Sequence, residues 1–376
     1  MIIKGAFENV FDGVTVFVTG HTGFKGSWLS LWLHELGAQV IGYSLPPPTT
    51  PSNFELCHLS DRIVDIRGDV RDLAHLEQTI RQYRPQVVFH LAAQPLVLRS
   101  YREPKETFDA NAGGTVNLLE AVRRTDAVSA VVCVTTDKVY KNREWLWGYR
   151  EIDELGGRDP YSASKAMAEL AIESYRQSFF SIEKFQQHHV ALASARAGNV
   201  IGGGDWAEPR LIPDLVRALV RGEPLRLRNP HHVRPWQIVF ESLSGYLWLA
   251  TRLLQDDGHR YAQAWNFGPV EPRAVSTQEV IEKAIAVWGN GEYAAGAAQS
   301  RVETALLRLD CDLAANRLRW RPAYRWEQAV AETMRWYKLW FERQSCSSSI
   351  DMYDVCVSQL AAYVQTAREQ GLDWAQ

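Results

Sequence analysis

Apolar residues in the first half of the chain follow two alternating patterns. Short continuous apolar runs are typical of strands buried on both faces, and they predict strands at 14–19, 39–43, 62–66, 86–91, 129–135 and 189–196. Between most of these runs the apolar residues recur at helical spacing, which predicts helices at 24–36, 73–83, 107–123 and 161–179. Strand and helix in alternation predict an α/β fold, with a doubly wound parallel sheet and helices on both of its faces.

The pattern changes after residue 202, where shorter apolar pieces and loops replace the regular alternation. Helical spacing continues at 212–220, 241–254, 277–288 and 326–341, and a last helix is predicted at 358–369. The proline-rich stretch 46–51 predicts an extended loop, and the serines of 345–349 predict a flexible joint. We therefore expect two domains, 1–200 and a smaller C-terminal α/β substrate lobe at 201–376, with part of 236–270 returning to the first domain.

The composition is that of an ordinary folded protein. Of the 376 residues, 46% are hydrophobic, so there is enough apolar surface to bury a core and disorder as the main state is excluded. The net charge of −3 argues against a nucleic-acid partner. No apolar run reaches the roughly 18 residues of a membrane-spanning helix, and residues 1–12 lack the apolar stretch of a signal peptide. We expect a cytoplasmic protein with no membrane partner.

Cysteine and histidine spacing argues against a metal site. The five cysteines lie far apart and form no CxxC pair, which argues against both a disulfide framework and a zinc ribbon. His231 and His232 are adjacent, but no third ligand is spaced near them. We expect these two histidines to be loop residues and expect no bound metal.

A glycine loop of spacing G-x-x-G-x-x-G follows the first predicted strand and opens the first predicted helix. Glycine permits the tight turn and lets backbone amides approach a phosphate, and the helix N-terminus adds a partial positive charge. This context is typical of a Rossmann-type dinucleotide-binding domain, although a bare strand-to-helix turn has the same shape. We expect cofactor contacts from Gly20, Thr22, Gly23, Phe24, Lys25 and Gly26.

The second predicted strand does not distinguish NAD from NADP. NAD-binding folds usually carry an acid at its end, but residues 42–46 contain neither an acid nor a lysine or arginine for a 2′-phosphate. Asp69 and Val70 follow the third strand, where Asp69 is either a contact to the adenine or an ordinary turn residue. The residues alone leave both cofactors open.

Tyr161 and Lys165 are spaced i, i+4 at the start of a predicted helix, so they share one helix face. A lysine ammonium beside a phenol lowers the pKa of the tyrosine, and a phenolate can take the proton of a sugar hydroxyl during hydride transfer. The same spacing occurs by chance on amphipathic helices. Its place about 140 residues after a glycine loop, near the ends of parallel strands, favours the catalytic interpretation.

Several motifs together resemble the extended short-chain dehydrogenase/reductase superfamily. They are the glycine loop, the segment His90–Gln94 after the fourth strand, Asn111, and the pair Tyr161 and Lys165. Longer motifs resemble the CDP-glucose 4,6-dehydratase family within that superfamily: GHTGFKGSWLSLWL from Gly20, PPPTTPS from Pro46, TTDK from Thr135, REWLWGYRE from Arg143, RAGNVIGGGDW from Arg196, RNPHHVRPWQ from Arg228 and WNFGP from Trp265.

This resemblance implies a cofactor, a substrate class and a mode of association. It implies NAD as the cofactor and a CDP-glucose nucleotide sugar as the small-molecule substrate. It also implies at least a homodimer, because in the superfamily the helices corresponding to 107–123 and 161–179 pair with those of a second copy. The further cofactor contacts that it implies are Leu91, Ala92, Ala93, Gln94 and Asn111.

Thr136, Asp137 and Lys138 end the fifth predicted strand and are expected to meet Tyr161 in the crevice. An acid beside a possible base suits elimination of water. We assign Asp137 as the acid and Lys138 as the base, which requires its amine to be neutral, or alternatively as a stabiliser of the enolate. A salt bridge at the strand end without chemistry is the plain alternative.

Substrate contacts are expected from Gln94, Asn199, Arg234 and Asn266, with Arg228 as a further candidate in the same basic loop as Arg234. Arginine binds a diphosphate through paired hydrogen bonds, although both arginines are equally compatible with a solvated surface. Together these residues predict a lyase that oxidises C4, eliminates water across C5 and C6 and returns the hydride to C6. The alternatives are another 4,6-dehydratase, a 4-epimerase or a reductase of the same superfamily, and a regulator that senses NAD without chemistry.

Overall fold

A computed structural model of the chain describes residues 3–227, 229–269, 275–295, 306–345 and 350–376. Within these ranges a seven-stranded sheet forms the centre of the protein, and its strands run in the order β3-β2-β1-β4-β5-β6-β10 with every neighbouring pair parallel. Two small parallel pairs, β7 with β9 and β8 with β11, lie outside this sheet. The strands are β1 Thr15–Thr19, β2 Gln39–Ser44, β3 Val64–Arg67, β4 Val87–His90, β5 Ala130–Val134, β6 Ala191–Ala197, β7 Val200–Ile201, β8 Leu225–Leu227, β9 Gln237–Ile238, β10 Ala264–Phe267 and β11 Tyr293–Ala295.

Helices cover both faces of the sheet, as the apolar periodicity predicts. They are α1 Phe24–Glu35, α2 Asn53–Leu56, α3 Leu73–Tyr83, α4 Val97–Arg102, α5 Pro104–Phe108, α6 Gly114–Arg123, α7 Pro160–Ser178, α8 Phe185–His188, α9 Leu211–Arg221, α10 Val239–Leu253, α11 Thr277–Trp288, α12 Trp326–Ser345 and α13 Met352–Glu369. The predicted α/β class and doubly wound sheet are confirmed, and the six predicted strands are observed to within two residues at each end.

The strand order reverses between β1 and β4, and this reversal locates the crevice. In an open parallel sheet, ligands bind beyond the carboxyl ends of the strands at such a switch point. The glycine loop follows β1 and the segment His90–Gln94 follows β4. Both predicted cofactor segments therefore lie at this edge of the sheet.

One predicted helix, 107–123, is interrupted. The structure gives α5, then a π-helical turn at Asp109–Gly113, then α6. The turn contains Asn111, whose side chain bonds to Gln94 and Ser164 on neighbouring elements. Local widening of a helix is common at functional sites, and here it lets one polar side chain join three elements.

The C-terminal half packs closely on the first half. Strand β10 pairs with β6 in the main sheet, and the buried ring of Trp374 stacks on Phe7 at 5.5 Å between centroids. Helix α13 begins at Met352, six residues before the predicted start. The predicted flexible joint at 345–349 lies outside the described residues apart from the end of α12, and the predicted domain boundaries stay predictions.

A buried carboxylate fastens α13 to the rest of the chain. Glu241 on α10 accepts hydrogen bonds from the backbone amides of Ala323 and Tyr324, and from the hydroxyl of Tyr363 on α13 at 2.6 Å. Burial raises the pKa of Glu241 to about 7, although these donors act in the opposite direction. The carboxylate has a structural role, since all of these partners belong to the core.

Candidate active site

The glycine loop, residues 20–26, forms a close turn with no room for side chains at Gly20 and Gly26, and we call this turn the cradle. Gly20 has φ +77°, and a Cβ atom there would lie 2.7 Å from the amide nitrogen of Ala92. A Cβ at Gly26 would overlap the carbonyl oxygen of Gly20. Helix α1 begins after Gly23 with no side-chain cap, so its first amides keep their hydrogen-bonding capacity for an anion. This open helix terminus beside a close turn fits the pyrophosphate of a dinucleotide.

The remaining loop residues lie between the cofactor edge and the second half of the chain. The Thr22 hydroxyl donates to the carbonyl oxygen of Leu45 at 2.9 Å, just beyond the end of β2. The Phe24 ring lies against Gly202, where an added Cβ would approach it to 3.0 Å. The Lys25 ammonium donates to the Tyr246 hydroxyl at 3.1 Å, and burial lowers the pKa of Lys25 to about 7, opposed by the charge of Asp137.

The structure gives Asp69 a protein partner. Its carboxylate pairs with the guanidinium of Arg71, and the closest contact is 2.5 Å. Hydrogen bonds from Arg71 hold the pKa of this carboxyl below its usual value. The carbonyl oxygen of Val70 accepts from the Asn117 side chain at 3.0 Å. Both residues lie at the third-strand end, and their contact with a cofactor stays a prediction.

The segment after β4 is fixed by polar bonds to its neighbours. The amides of Leu91 and Ala92 donate to the Thr19 hydroxyl, at 3.1 and 3.2 Å. The amide of Gln94 donates to Asn111 Oδ1 at 2.7 Å, and Asn111 Nδ2 donates back to the Gln94 carbonyl oxygen. This pairing holds the segment that includes Ala93 rigidly along the crevice.

Internal bonds also occupy the side chain of Gln94. Its amide nitrogen donates to the Leu96 carbonyl oxygen and the Thr107 hydroxyl, and its amide oxygen accepts from the Leu96 amide. Gln94 reaches a substrate only if these bonds are exchanged, and its substrate role stays a prediction.

Tyr161 and Lys165 lie in the first turns of α7, and both are buried. The Lys165 ammonium donates to the carbonyl oxygen of Val134 at 3.1 Å, and burial lowers its pKa to about 8. Burial raises the pKa of Tyr161 to about 12, while a hydrogen bond with Thr136 acts in the opposite direction. The expected lowering of the tyrosine pKa by the lysine is therefore not seen in the protein alone, because burial dominates.

Thr136, Asp137 and Lys138 lie where β5 ends in a short 3-10 turn. Asp137 is fully buried; its Oδ1 accepts from the Thr136 hydroxyl at 2.9 Å, and its Oδ2 has no partner. The Lys138 ammonium lies 3.4 Å from Asp137 Oδ1 and 3.3 Å from Asn199 Oδ1. Gly198 lies against this oxygen, since a Cβ there would come within 2.6 Å of Pro235 Cγ and 3.1 Å of Asp137 Oδ2.

The predicted substrate residues lie on different segments of the chain. Asn199 lies beside Lys138. The Arg234 guanidinium contacts the carbonyl oxygen of Val233 at 2.9 Å and the ring of His232 at 3.4 Å. The next residue, Pro235, packs against Gly198, where an added Cβ would approach it to 2.6 Å. Arg228 lies outside the described residues.

Asn266 has a set of contacts different from those expected of a substrate-binding residue. It is fully buried on β10, its Oδ1 accepts from the Tyr140 hydroxyl, and its Nδ2 donates to the carbonyl oxygens of Tyr149 and Asp310. Its side-chain polar atoms are thus bonded within the protein. The assignment of Asn266 as a substrate contact stays a prediction that these bonds do not support.

Three residues at the site were not found from the sequence. Arg210 pairs with Asp205 at 2.8 Å and is close enough for its charge to act on the pKa values of Tyr161 and Lys25. Tyr246 on α10 contacts Lys25. Glu169 lies eight residues after Tyr161 on the same helix face, and this spacing is the only feature of the sequence that points to it. No local sequence pattern points to Arg210 or Tyr246.

The described residues contain no cluster of three or more histidine, cysteine or acidic side chains arranged to hold a metal. Among the helices of these same ranges, none combines the length and the hydropathy needed to cross a membrane.

The comparisons with known proteins agree with this fold. The family model for GDP-mannose 4,6-dehydratase matches residues 17–333. The chain is 47% identical over 334 residues to a CDP-glucose 4,6-dehydratase of Salmonella typhimurium (strain LT2), with 89% of this chain and 93% of that protein covered. It is 25% identical over 346 residues to a dTDP-glucose 4,6-dehydratase of Xanthomonas campestris pv. campestris, covering 86% and 93%.

A similar solved structure is the dTDP-glucose 4,6-dehydratase of Bacillus anthracis str. Ames in complex with NAD. Its TM-score is 0.72 at 25% identity, and the match covers 88% of this chain and 98% of that chain. The likeness extends over both halves of the chain.

Proposed function

The chain belongs to the GDP-mannose 4,6-dehydratase family, and we propose on that premise that it converts CDP-D-glucose to CDP-4-dehydro-6-deoxy-D-glucose and water. The observation that carries the substrate is the 47% identity to a CDP-glucose 4,6-dehydratase over 89% of this chain. The protein is a NAD-dependent nucleotide-sugar 4,6-dehydratase of the extended short-chain dehydrogenase/reductase superfamily. We place its activity in the cytoplasm.

The residues of the cradle fit NAD. The close turn at Gly20 and Gly26 and the uncapped start of α1 leave room and amide donors for a pyrophosphate. The Lys165 ammonium, which donates to the Val134 carbonyl oxygen in the protein, holds the nicotinamide ribose in this proposal. When bound, NAD accepts the hydride from C4 of the sugar and later returns it to C6, so the reaction is redox-neutral overall.

Oxidation at C4 requires a base for the C4 hydroxyl proton. Tyr161 is the base, and Thr136 bonds the same oxygen, since the two hydroxyls lie together in the crevice. The phenol must lose its proton although burial holds its pKa at about 12. The positive charge of Lys165 next to the reacting groups favours the phenolate once substrate and cofactor fill the crevice.

Elimination of water requires a base at C5 and an acid at the C6 hydroxyl. The new C4 ketone acidifies the C5 proton. Lys138 takes that proton as a neutral amine, after passing its own proton to the adjacent Asp137 carboxylate, or stays an ammonium and stabilises the enolate. Asp137, whose buried Oδ2 has no hydrogen-bond partner within the protein, gives a proton to the departing hydroxyl. The paired arrangement of Asp137, Lys138 and Asn199 supports a dehydratase, because neither an epimerase nor a NAD sensor needs this second proton transfer.

The substrate assignment is tested with a panel of CDP-, dTDP-, UDP- and GDP-sugars and mass measurement of the products. We expect loss of one water from CDP-glucose. Deuterium placed at C4 of CDP-glucose should appear at C6 of the same molecule, and a reaction in heavy water should place deuterium at C5. Loss of water only from a different nucleotide sugar would show that CDP-glucose is not the substrate. No loss of water from any of them would contradict the dehydratase assignment.

The surface of α6 and α7 supports at least a homodimer. Large apolar side chains are exposed along these two helices, at Val116, Met167, Leu170 and Phe179. Exposed apolar surface grouped on neighbouring helices is typical of a protein interface. A two-fold axis would place the same helices of a second copy against them and bury all four side chains.

Leu170→Glu is expected to halve the mass measured by light scattering at micromolar concentration, because a charge in the centre of the four-helix contact is costly to bury. The matched control is Val220→Glu, which places the same charge at an apolar residue of similar exposure on α9. This control should keep the mass of the unmodified protein. A monomeric unmodified protein would contradict the homodimer, and a Leu170→Glu variant of unchanged mass would place the contact elsewhere.

A further inference from the structure

Glu169 is a buried carboxylate on α7 that the chemistry described above does not use. It lies one helical turn beyond Lys165 and two turns beyond Tyr161, and it is 3% exposed. Residues four apart on a helix are surface neighbours, so Tyr161, Lys165 and Glu169 form one buried row. A buried carboxylate is costly unless it is paired and fully hydrogen-bonded.

Three side chains on the two neighbouring strands satisfy this carboxylate. Glu169 accepts from the Thr135 hydroxyl at the end of β5, from the Ser194 hydroxyl on β6 at 2.8 Å and from Arg196 Nη2 on β6 at 2.8 Å. Burial alone would raise the pKa of Glu169, but the Arg196 charge and these donors outweigh it and lower the pKa. The lowered pKa favours the ionised carboxylate.

The contacts of Glu169 adjoin the proposed catalytic residues along the chain. Thr135 immediately precedes the catalytic segment Thr136–Lys138, and Lys165 bonds to Val134, the residue before Thr135. Consecutive residues at the end of β5 are thus tied to two consecutive turns of α7. A shift at Thr135 would move Asp137 and Lys138 relative to Tyr161.

Glu169 also supplies negative charge beside Lys165. Burial lowers the pKa of the Lys165 ammonium, and electrostatic interactions with Cys133 and then Glu169 act in the opposite direction. The other titratable or charged groups that face this pair from the elements around it are His90, Cys133, Tyr140, Glu151, Arg176 and Arg196. Burial keeps His90 neutral, with a pKa of about 3, and keeps the Cys133 thiol protonated, with a pKa of about 12. Both arginines interact with Glu169, which compensates their positive charge.

We propose that Glu169 is a positioning residue that fixes the end of β5 beside the crevice and places a negative charge one helical turn from Lys165. This inference rests on the proposed function for the roles of Lys165 and the Thr136–Lys138 segment. It concerns a residue that touches neither substrate nor cofactor and acts through Thr135 and Lys165.

The first test is the pH dependence of NADH binding, followed by fluorescence. The ribose is held by the ammonium, so affinity should fall as the pH rises through the pKa of Lys165. Glu169→Gln removes the negative charge and should move this fall to lower pH by at least about half a pH unit. Glu241→Gln is the matched control, because it makes the same substitution at an equally buried glutamate away from the crevice. The pH at which this control loses NADH affinity should equal that of the unmodified protein.

The second test separates charge from position through turnover of CDP-glucose. Glu169→Asp keeps the charge but shortens the side chain, so it should lower kcat by about 10-fold or more through misplacement of the strand end. The pH at which NADH affinity falls by half should not change in this variant. This variant also decides the case if Glu169→Gln does not fold. An unshifted midpoint in Glu169→Gln, or an unchanged kcat in Glu169→Asp, would overturn the proposal. If the unmodified protein binds NADH but does not dehydrate CDP-glucose, the proposed function is wrong. The pH dependence of NADH affinity in the variants still decides the role of Glu169 in that case.

Discussion

Tyr161→Phe is expected to lower kcat for CDP-glucose by at least about 10²-fold, the usual cost of losing a general base. The change removes one buried hydroxyl that lies beside Thr136 and leaves the ring in place. Binding of substrate and NAD should change little, so KM and cofactor affinity should stay near those of the unmodified enzyme. Steady-state rates and NADH fluorescence titrations measure the two quantities separately.

Tyr175→Phe is the matched control for this change. Tyr175 lies on the same helix, and its hydroxyl donates to Glu120 at 3.3 Å, away from the crevice. The control should retain kcat. A Tyr161→Phe variant with near-normal turnover would refute the role of the phenol as the base.

The pH dependence of the unmodified enzyme should also show that Tyr161 acts as the base. A phenol acting as a base must lose its proton, so kcat/KM should rise with pH through the pKa of Tyr161. That pKa is raised to about 12 by burial in the protein alone, and the Lys165 ammonium opposes this rise in the complex. Lys165→Met should therefore move the rising limb to higher pH and also weaken cofactor binding.

Asp137→Asn and Lys138→Met are each expected to stop the reaction between oxidation and loss of water. Both variants keep Tyr161, so the C4 ketone should still form. Loss of the acid or of the base should lower the rate of water elimination by about 10²-fold or more. Rapid mixing with CDP-glucose should show reduced nicotinamide that persists, and mass measurement should show substrate that has not lost water.

The label at C5 distinguishes the two residues. In heavy water, Asp137→Asn should still exchange the C5 proton, because its base is intact, whereas Lys138→Met should not if the amine is that base. Exchange in Lys138→Met would leave Lys138 as the stabiliser of the enolate and give both proton transfers to Asp137. Lys141→Met, a change at a half-exposed lysine paired with Glu154, should eliminate water at the normal rate. Normal elimination in either site variant would remove that residue from the proposed proton transfer.

The Tyr161–Lys165 pair illustrates what spacing determines and what it leaves open. An interval of four residues places two side chains on one helix face in any α-helix, and both are found in the crevice. The interval does not set their electrostatics. Burial raises the tyrosine pKa and lowers the lysine pKa. In the proposed mechanism, Tyr161 therefore becomes a base only when substrate and cofactor occupy the crevice.

The interrupted helix 107–123 shows a second limit. Its apolar spacing is continuous, and the sequence predicts one helix. The π-helical turn at Asp109–Gly113 forms because Asn111 bonds to Gln94 and Ser164. Those partners are 17 and 53 residues away in sequence, so no local pattern carries the information.

The sequence by itself determined the parallel α/β fold, the order of its elements through residue 200 and the glycine loop. It did so because strands buried on both faces are continuously apolar, and because tight turns at a helix start need glycine. Only the tertiary structure decided that Asp137 keeps one oxygen unpartnered, that Asn266 is bonded within the core, and that Arg210 and Glu169 join the site. Each of these depends on hydrogen bonds and charges between distant segments, whose strength is set by burial and not by neighbours along the chain.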